Sequence, residues 1–123
     1  MSVEFLEPER PEPPIAVAAM SRDTVMCTVV PEYDDGSIAA EGITAQTRRV
    51  FANLDDVLRK AGSSLEQVMH VTVYLVNIGD RAAMTDVWRQ VFQPPYPGRA
   101  TIGVKELGHP DMLIEITVVA ERG

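Results

Sequence analysis

Val68-Met69-His70-Val71-Thr72-Val73-Tyr74-Leu75-Val76 runs without a glycine, a proline or a turn-prone side chain. β-Branched and aromatic residues dominate it. They lose rotamer freedom in a helix and pack well on a pleated surface, so the segment predicts a strand. Its apolar character on both faces predicts an interior position in the sheet.

Working outward, a different period precedes this strand. Val50, Leu54, Val57, Leu58 and Ala61 lie at i, i+4, i+7, i+8 and i+11, which predicts a helix from about Thr44. Arg48, Arg49, Asp55, Asp56 and Arg59 take its polar side. Gly62 sits where a helix often closes through a left-handed residue. Ser63-Ser64-Leu65-Glu66 then predicts a capping box on a further short turn. On the other side of the strand, Asp80 is the expected N-cap of a second helix with the stripe Met84, Val87, Trp88, Val91 and Phe92. Pro94-Pro95 ends it. Thr101–Val104 and Leu113–Ala120 read as strands. Upstream, Ile15–Met20 and Thr24–Val30 flank Ser21-Arg22-Asp23 and predict a hairpin, and Pro31–Gly36 a loop. Residues 1–14 hold four of the nine prolines and four glutamates, and predict an extended or loose arm. The order β-β-α-β-α-β-β predicts an α+β sandwich, with two helices on one face of a mixed sheet over residues 15–123.

At 123 residues the chain has the length of one domain. A formal charge of -7 argues against a polyanion binder, since such binding needs cations to displace counterions. Cys27 is the one cysteine, which allows no internal disulfide and no cysteine-based zinc cluster, and reads as a small core residue. His70, a strand residue, and His109, a turn residue in Gly108-His109-Pro110-Asp111, are far apart with no carboxylate at ligand spacing. No metal is expected. The longest clean apolar stretch, Ile15–Met20, is far too short for a bilayer span. The glutamate-rich start lacks a basic n-region and an apolar h-region, so a cytoplasmic location is expected.

Two charged residues resist a packing account. Glu115 is flanked by isoleucines and, by alternation, shares a face with Leu113, Thr117 and Val119. It lies either on a solvated face or buried with a partner, because burying a lone charge is costly. Arg99 follows Pro94-Pro95-Tyr96-Pro97-Gly98 and precedes a strand. It is either a surface arginine or a planar bidentate donor presented to a carboxylate.

Gly42-Ile43-Thr44-Ala45-Gln46-Thr47-Arg48-Arg49-Val50 with Asn53-Leu54 and Val57-Leu58 resembles the first-helix signature of the YjgF/Rid family. These are the reactive-intermediate deaminases, also labelled endoribonuclease L-PSP. Ala61–Leu65 leading into Val71–Leu75 is similar to that family's helix-to-strand passage. So are Pro95–Thr101 and Leu113–Ile116. The resemblance spans roughly residues 42–120. It implies a chorismate-mutase-like protomer in a homotrimer, with sites in clefts between protomers. It also implies hydrolysis of enamine or imine intermediates, such as 2-aminoacrylate, to 2-keto acids and ammonia without metal or organic cofactor. Arg99 falls on the arginine that clamps the substrate carboxylate, and Glu115 on the glutamate that handles water or a proton. Thr85, Ala100 and Thr101 are the implied substrate-binding neighbours. The chain departs from the pattern at its start. The family's early Tyr-Ser pair and Ser-Gly-Gln turn have no counterpart, since the first tyrosine is Tyr33 and the first glycine Gly36. Cys27-Thr28-Val29-Val30-Pro31 stands in the place of the turn, and a β-branched run lacks the backbone freedom of glycine, so this cleft wall should differ in shape. Thr85 replaces a frequent asparagine.

The ranked expectation is an imine/enamine deaminase taking a small carboxylate substrate. A non-enzymatic carboxylate-binding or regulatory trimer comes second. A ribonuclease comes last, because 6% aromatics and a charge of -7 provide neither stacking platforms nor a basic track.

Overall fold

The computed structural model describes residues 2–123. Its strands are β1 (Glu4–Leu6), β2 (Ala18–Met20), β3 (Thr24–Val29), β4 (Val68–Leu75), β5 (Gly98–Gly103) and β6 (Ile114–Glu121). Its helices are α1 (Ile43–Lys60) and α2 (Arg81–Val91), each preceded or followed by single 3-10 turns. The strands form one sheet in the order β1-β2-β3-β6-β4-β5, antiparallel throughout except for the parallel β4–β5 pair. This is the predicted mixed sheet with two helices on one face.

Alternation explains which face is covered. In β4, Val71, Val73 and Leu75 point to the helices and are fully buried, as are Ile114 and Ile116 of β6. His70, Thr72 and Tyr74, with Glu115, Thr117 and Val119, lie on the other face, which nothing covers within one chain. The helical stripe reads correctly: Val50, Leu54 and Leu58 have no solvent contact, and each such side chain contributes about 1.5–3 kcal/mol by burial. Phe51 joins them, and its ring meets Trp88 and Phe92 of the α2 segment edge-on at 6.0 and 5.6 Å. That cluster fixes the distance between the helices. α1 closes as expected at Gly62, whose φ is +83°.

Five local expectations need correction. Residues 4–6 of the arm are not loose: they add a short edge strand to β2, with Phe5 opposite Ala19. The Ser63–Glu66 capping box does not form. Ser64 bonds Gln67 instead, and Ser63 donates to the Glu121 carbonyl at 2.6 Å. Asp80 holds the expected N-cap position of α2 but its side chain makes no cap bond there; a 3-10 turn capped by Asn77 runs straight into the helix. β5 starts at Gly98, three residues early, so Arg99 lies inside a strand rather than before one. Arg49 is not on a purely solvated face: it donates to the Glu32 carbonyl and lies over the Tyr33 ring at 5.1 Å.

Candidate functional site

The register of β5 on β4 places Arg99 beside Val71 and Thr101 beside Val73. Both valines are buried beneath the helices, so Arg99 and Thr101 project to the helix side of the sheet and half-bury there. α2 meets Arg99 with three groups. Arg99 Nη2 donates to Thr85 Oγ1 at 3.1 Å, Nη1 approaches Met84 Sδ at 3.7 Å, and the guanidinium lies over the Trp88 ring, 4.9 Å from its centroid. A planar cation held on an aromatic face gains both dispersion and quadrupole attraction. No carboxylate pairs with it among the described residues. Desolvation first, and then the positive charges of Arg81 and Arg89, lower its pKa from the usual arginine value. Arginine still stays charged at physiological pH. The arrangement is a preformed, oriented cation short of a counter-ion.

Glu115 lies elsewhere. It faces Tyr74 across the β4–β6 pair, on the uncovered side of the sheet. Burial pushes its carboxyl above the usual glutamate range, and no hydrogen bond or ion pair offsets this among the described residues. Such a group is poised to exchange protons nearer neutrality than an exposed glutamate. Ala100 is on this same side, in register with Thr72. The fold therefore brings Arg99, Thr85 and Thr101 together and separates them from Glu115 and Ala100 by the thickness of the sheet. Within one chain Glu115 has neither full solvation nor a charged partner among the described residues.

The remaining sequence candidates take structural places. Cys27 is buried and its thiol is pushed up to about 11, so it is not a thiolate at neutral pH. His109 Nδ1 accepts the Asp111 N–H at 3.0 Å in its turn. His70 is exposed on the open sheet face, packed against Gly98. No group of three potential metal ligands occurs among the described residues. Two open hollows, of about 480 Å³ along the arm and about 400 Å³ along α1, touch neither Arg99 nor Glu115. Gln46, Arg81 and Arg89 escaped the sequence reading as working residues. For the arginines the signal was present: Arg81, Thr85, Trp88 and Arg89 recur at i, i+4, i+7 and i+8, one face of α2.

Comparison with known proteins agrees with this architecture. The family model described as Endoribonuclease L-PSP matches residues 16–122, nearly the whole chain. The chain belongs to this family, the YjgF/Rid proteins. Among curated L-PSP relatives, the mitochondrial protein mmf2 of Schizosaccharomyces pombe is 35% identical over 94 residues, 76% of this chain and 75% of that one. A 2-iminobutanoate/2-iminopropanoate deaminase of Capra hircus is 31% identical over 88 residues, 72% of this chain and 64% of that protein. Among solved structures, a YjgF family member from Neisseria meningitidis superposes with a TM-score of 0.83 at 29% identity, covering 100% of this chain and 97% of that one.

Proposed function

We propose that this L-PSP family protein hydrolyses small 2-imino or enamine acids to 2-keto acids and ammonia. The observation that carries the reading is Arg99, a half-buried guanidinium seated on Trp88, bonded to Thr85 and lacking a carboxylate partner in a chain of charge -7. A substrate carboxylate supplies the missing charge in a bidentate pair, which also orients its C=N carbon. Thr101 lines the approach beside Arg99, and Ala100 lies on the Glu115 side of the sheet. Glu115, with its raised pKa, takes a proton from the attacking water and returns it to the leaving nitrogen. Water oxygen becomes the keto oxygen, the C–N bond breaks and ammonia leaves, with no electrons to move. The names of similar proteins, including the goat deaminase, support the class of reaction.

Because Arg99 and Glu115 occupy opposite faces of one sheet, the reading requires assembly. We infer a homotrimer in which the open face of one copy meets the α2–β5 edge of its neighbour, so that one copy's Glu115 faces the neighbour's Arg99. A cytoplasmic location is part of this proposal, and cell fractionation checks it; separately, among the described residues no helix is long and apolar enough to cross a membrane. The direct test generates 2-aminoacrylate enzymatically and follows keto-acid release. Acceleration that Arg99→Ala abolishes, in a variant that still folds, is the expected result. No acceleration with several imino acids, in an assay where an active relative works, sinks the proposal. A carboxylate-binding trimer without turnover is the second reading, favoured by Val29-Val30-Pro31 in place of the glycine turn. Thermal stabilisation by 2-ketobutyrate with no catalysis would establish it.

A further inference from the structure

Arg99 is one member of a group. Thr85, which receives its hydrogen bond, is the middle of a row on α2 formed by Arg81, Thr85 and Arg89 at i, i+4 and i+8. Residues at this spacing stack along one helix face, about 6 Å apart at a rise of 1.5 Å per residue. Arg99 therefore sits against the centre of the row with an arginine on each side, close enough for both to act on its charge. Three of the chain's 11 cations meet here on a protein with seven excess negative charges. The acidic residues of this segment are Asp80 and Asp86. Only Asp86 pairs with one of the three, at 3.3 Å from Arg89 and with both side chains exposed. Such a pair contributes little. Arg81 and Arg99 make no ion pair among the described residues.

Stability does not explain Arg81. It is the first residue of α2, where the helix dipole disfavours a cation, and no acidic residue occupies that first turn. Its side chain is exposed. One carboxylate would neutralise Arg99 and leave this second charge unanswered.

We propose that the α2–β5 face is a two-anion site, with Arg99 holding the carboxylate beside the imine and Arg81 holding a second carboxylate, so that the preferred substrates are 2-imino dicarboxylic acids of four or five carbons. This rests on the deaminase reading and narrows its substrate class. The carboxyl carbons of such acids lie about 4–5 Å apart at ~1.5 Å per carbon–carbon bond, commensurate with one turn of α2. The chemistry is unchanged: water adds at C2, the C–N bond breaks, ammonia leaves, and the product is a 2-oxo dicarboxylate. Arg89, already engaged with Asp86, has the smaller part. A reaction that oxidises an acidic amino acid to its imine is the class that must supply the substrate.

The experiment uses the full chain and reads binding and turnover separately. Calorimetry at fixed ionic strength compares succinate and glutarate with butyrate. Keto-acid release compares the imines of aspartate and glutamate with that of 2-aminobutyrate. A dicarboxylate preference of about tenfold in Kd and in kcat/KM is expected, about 1.4 kcal/mol, since a second carboxylate meets two neighbouring guanidinium charges rather than one exposed pair. Arg81→Gln should collapse that ratio, Arg81→Lys should retain part of it, and Arg89→Gln should lower it less. Equal binding of the diacids and the monoacid overturns the proposal, as does a ratio that Arg81→Gln leaves intact. The two readings separate cleanly. Turnover of every imine without a dicarboxylate preference keeps the deaminase and removes the two-anion site. A binding preference for diacids without any turnover does the reverse. Binding of single-stranded RNA that succinate fails to displace would reassign the arginines to a polyanion.

Discussion

Gln46 offers the sharpest test of how this fold holds its site. Its side chain is 1% exposed, inside the first helical turns of α1, and both ends are used. Nε2 donates to the Asp111 carbonyl at 2.7 Å, and Oε1 accepts the Leu113 N–H at 2.7 Å. One amide thus clamps a loop 65 to 67 residues away in sequence, just before β6 begins at Ile114 and one residue short of Glu115. Gln46→Leu keeps the volume and removes both bonds. Each backbone group left without a partner costs about 1–3 kcal/mol when buried. Asp111 is exposed and Leu113 half-buried, so water recovers part of that and a total of about 2–4 kcal/mol is expected. At roughly 3–5 °C per kcal/mol for a domain of this size, Tm falls by about 10 °C. Trp88 is the only tryptophan and is buried, so its fluorescence reports a urea titration without added labels. The midpoint should fall with no change in m, at one fixed protein concentration because assembly shifts apparent stability. The Leu113 amide should lose its protection from hydrogen exchange. A loss below about 0.5 kcal/mol, the range of indifferent surface changes, would refute the clamp.

The other predictions concern the site. Glu115→Gln should abolish turnover yet stabilise the fold: the folded carboxyl titrates above its unfolded value of about 4.3, so stability is lost as pH rises from there through the folded pKa. Melting curves of the two proteins should coincide below about pH 4 and diverge above it, and divergence in the opposite sense would contradict burial as the cause. Thr85→Val removes the hydroxyl that orients Arg99 and should raise KM about tenfold with a smaller change in kcat, a hydrogen bond to a charge being worth about 1.5–3 kcal/mol; steady-state kinetics on any accepted imine reads this. Mixing and reassembling Arg99→Ala with Glu115→Gln should restore up to about a quarter of the sites if each cleft of a closed trimer draws the two residues from different copies. Silence in that mixture, with reassembly verified, would count against a cleft shared by the two residues.

Periodicity made most of the fold legible. The alternation of β4 and β6 and the Val50–Leu54–Leu58 stripe are local patterns, and burial follows them directly. What escaped depends on contacts between distant segments. Glu4–Leu6 is a strand only because β2 lies beside it, and three residues ahead of the arm's prolines carry no strand pattern of their own. The strand start at Gly98 was hidden by the prolines before it and by a parallel pairing that only the folded chain defines. The same holds for the site. Arg99 and Glu115 were each visible as residues out of keeping with their surroundings, but their placement on opposite faces follows from the register of β5 on β4 and of β4 on β6. No local pattern encodes that parity. Gln46 reads as a polar residue near a helix start, and its two bonds to the 111–113 segment are long-range.

The departures from the family pattern and the cation group point to one conclusion about selectivity. Where other members carry a glycine turn, this chain runs Val29-Val30-Pro31, and no residue other than glycine has a positive φ among those described. The replacement is not slack. Asn53 on α1 donates to the carbonyls of Val30 and Glu32, at 3.0 and 2.8 Å, and Arg49 donates to that of Glu32. Three bonds from one helix hold the following loop, which closes on itself through the Glu32–Ile38 bridge. A segment held by three such bonds keeps its own shape, and as a cleft wall it would differ from a glycine turn. Discrimination among small acids by that wall would be worth only about 1–3 kcal/mol per methylene. In the two-anion proposal a second guanidinium, one helical turn along α2 from Thr85, discriminates by charge, and the half-buried Arg99 left unpaired penalises a ligand that lacks a carboxylate. Under the two-anion proposal, selectivity rests on charge at the α2–β5 face more than on the shape of the 29–31 segment.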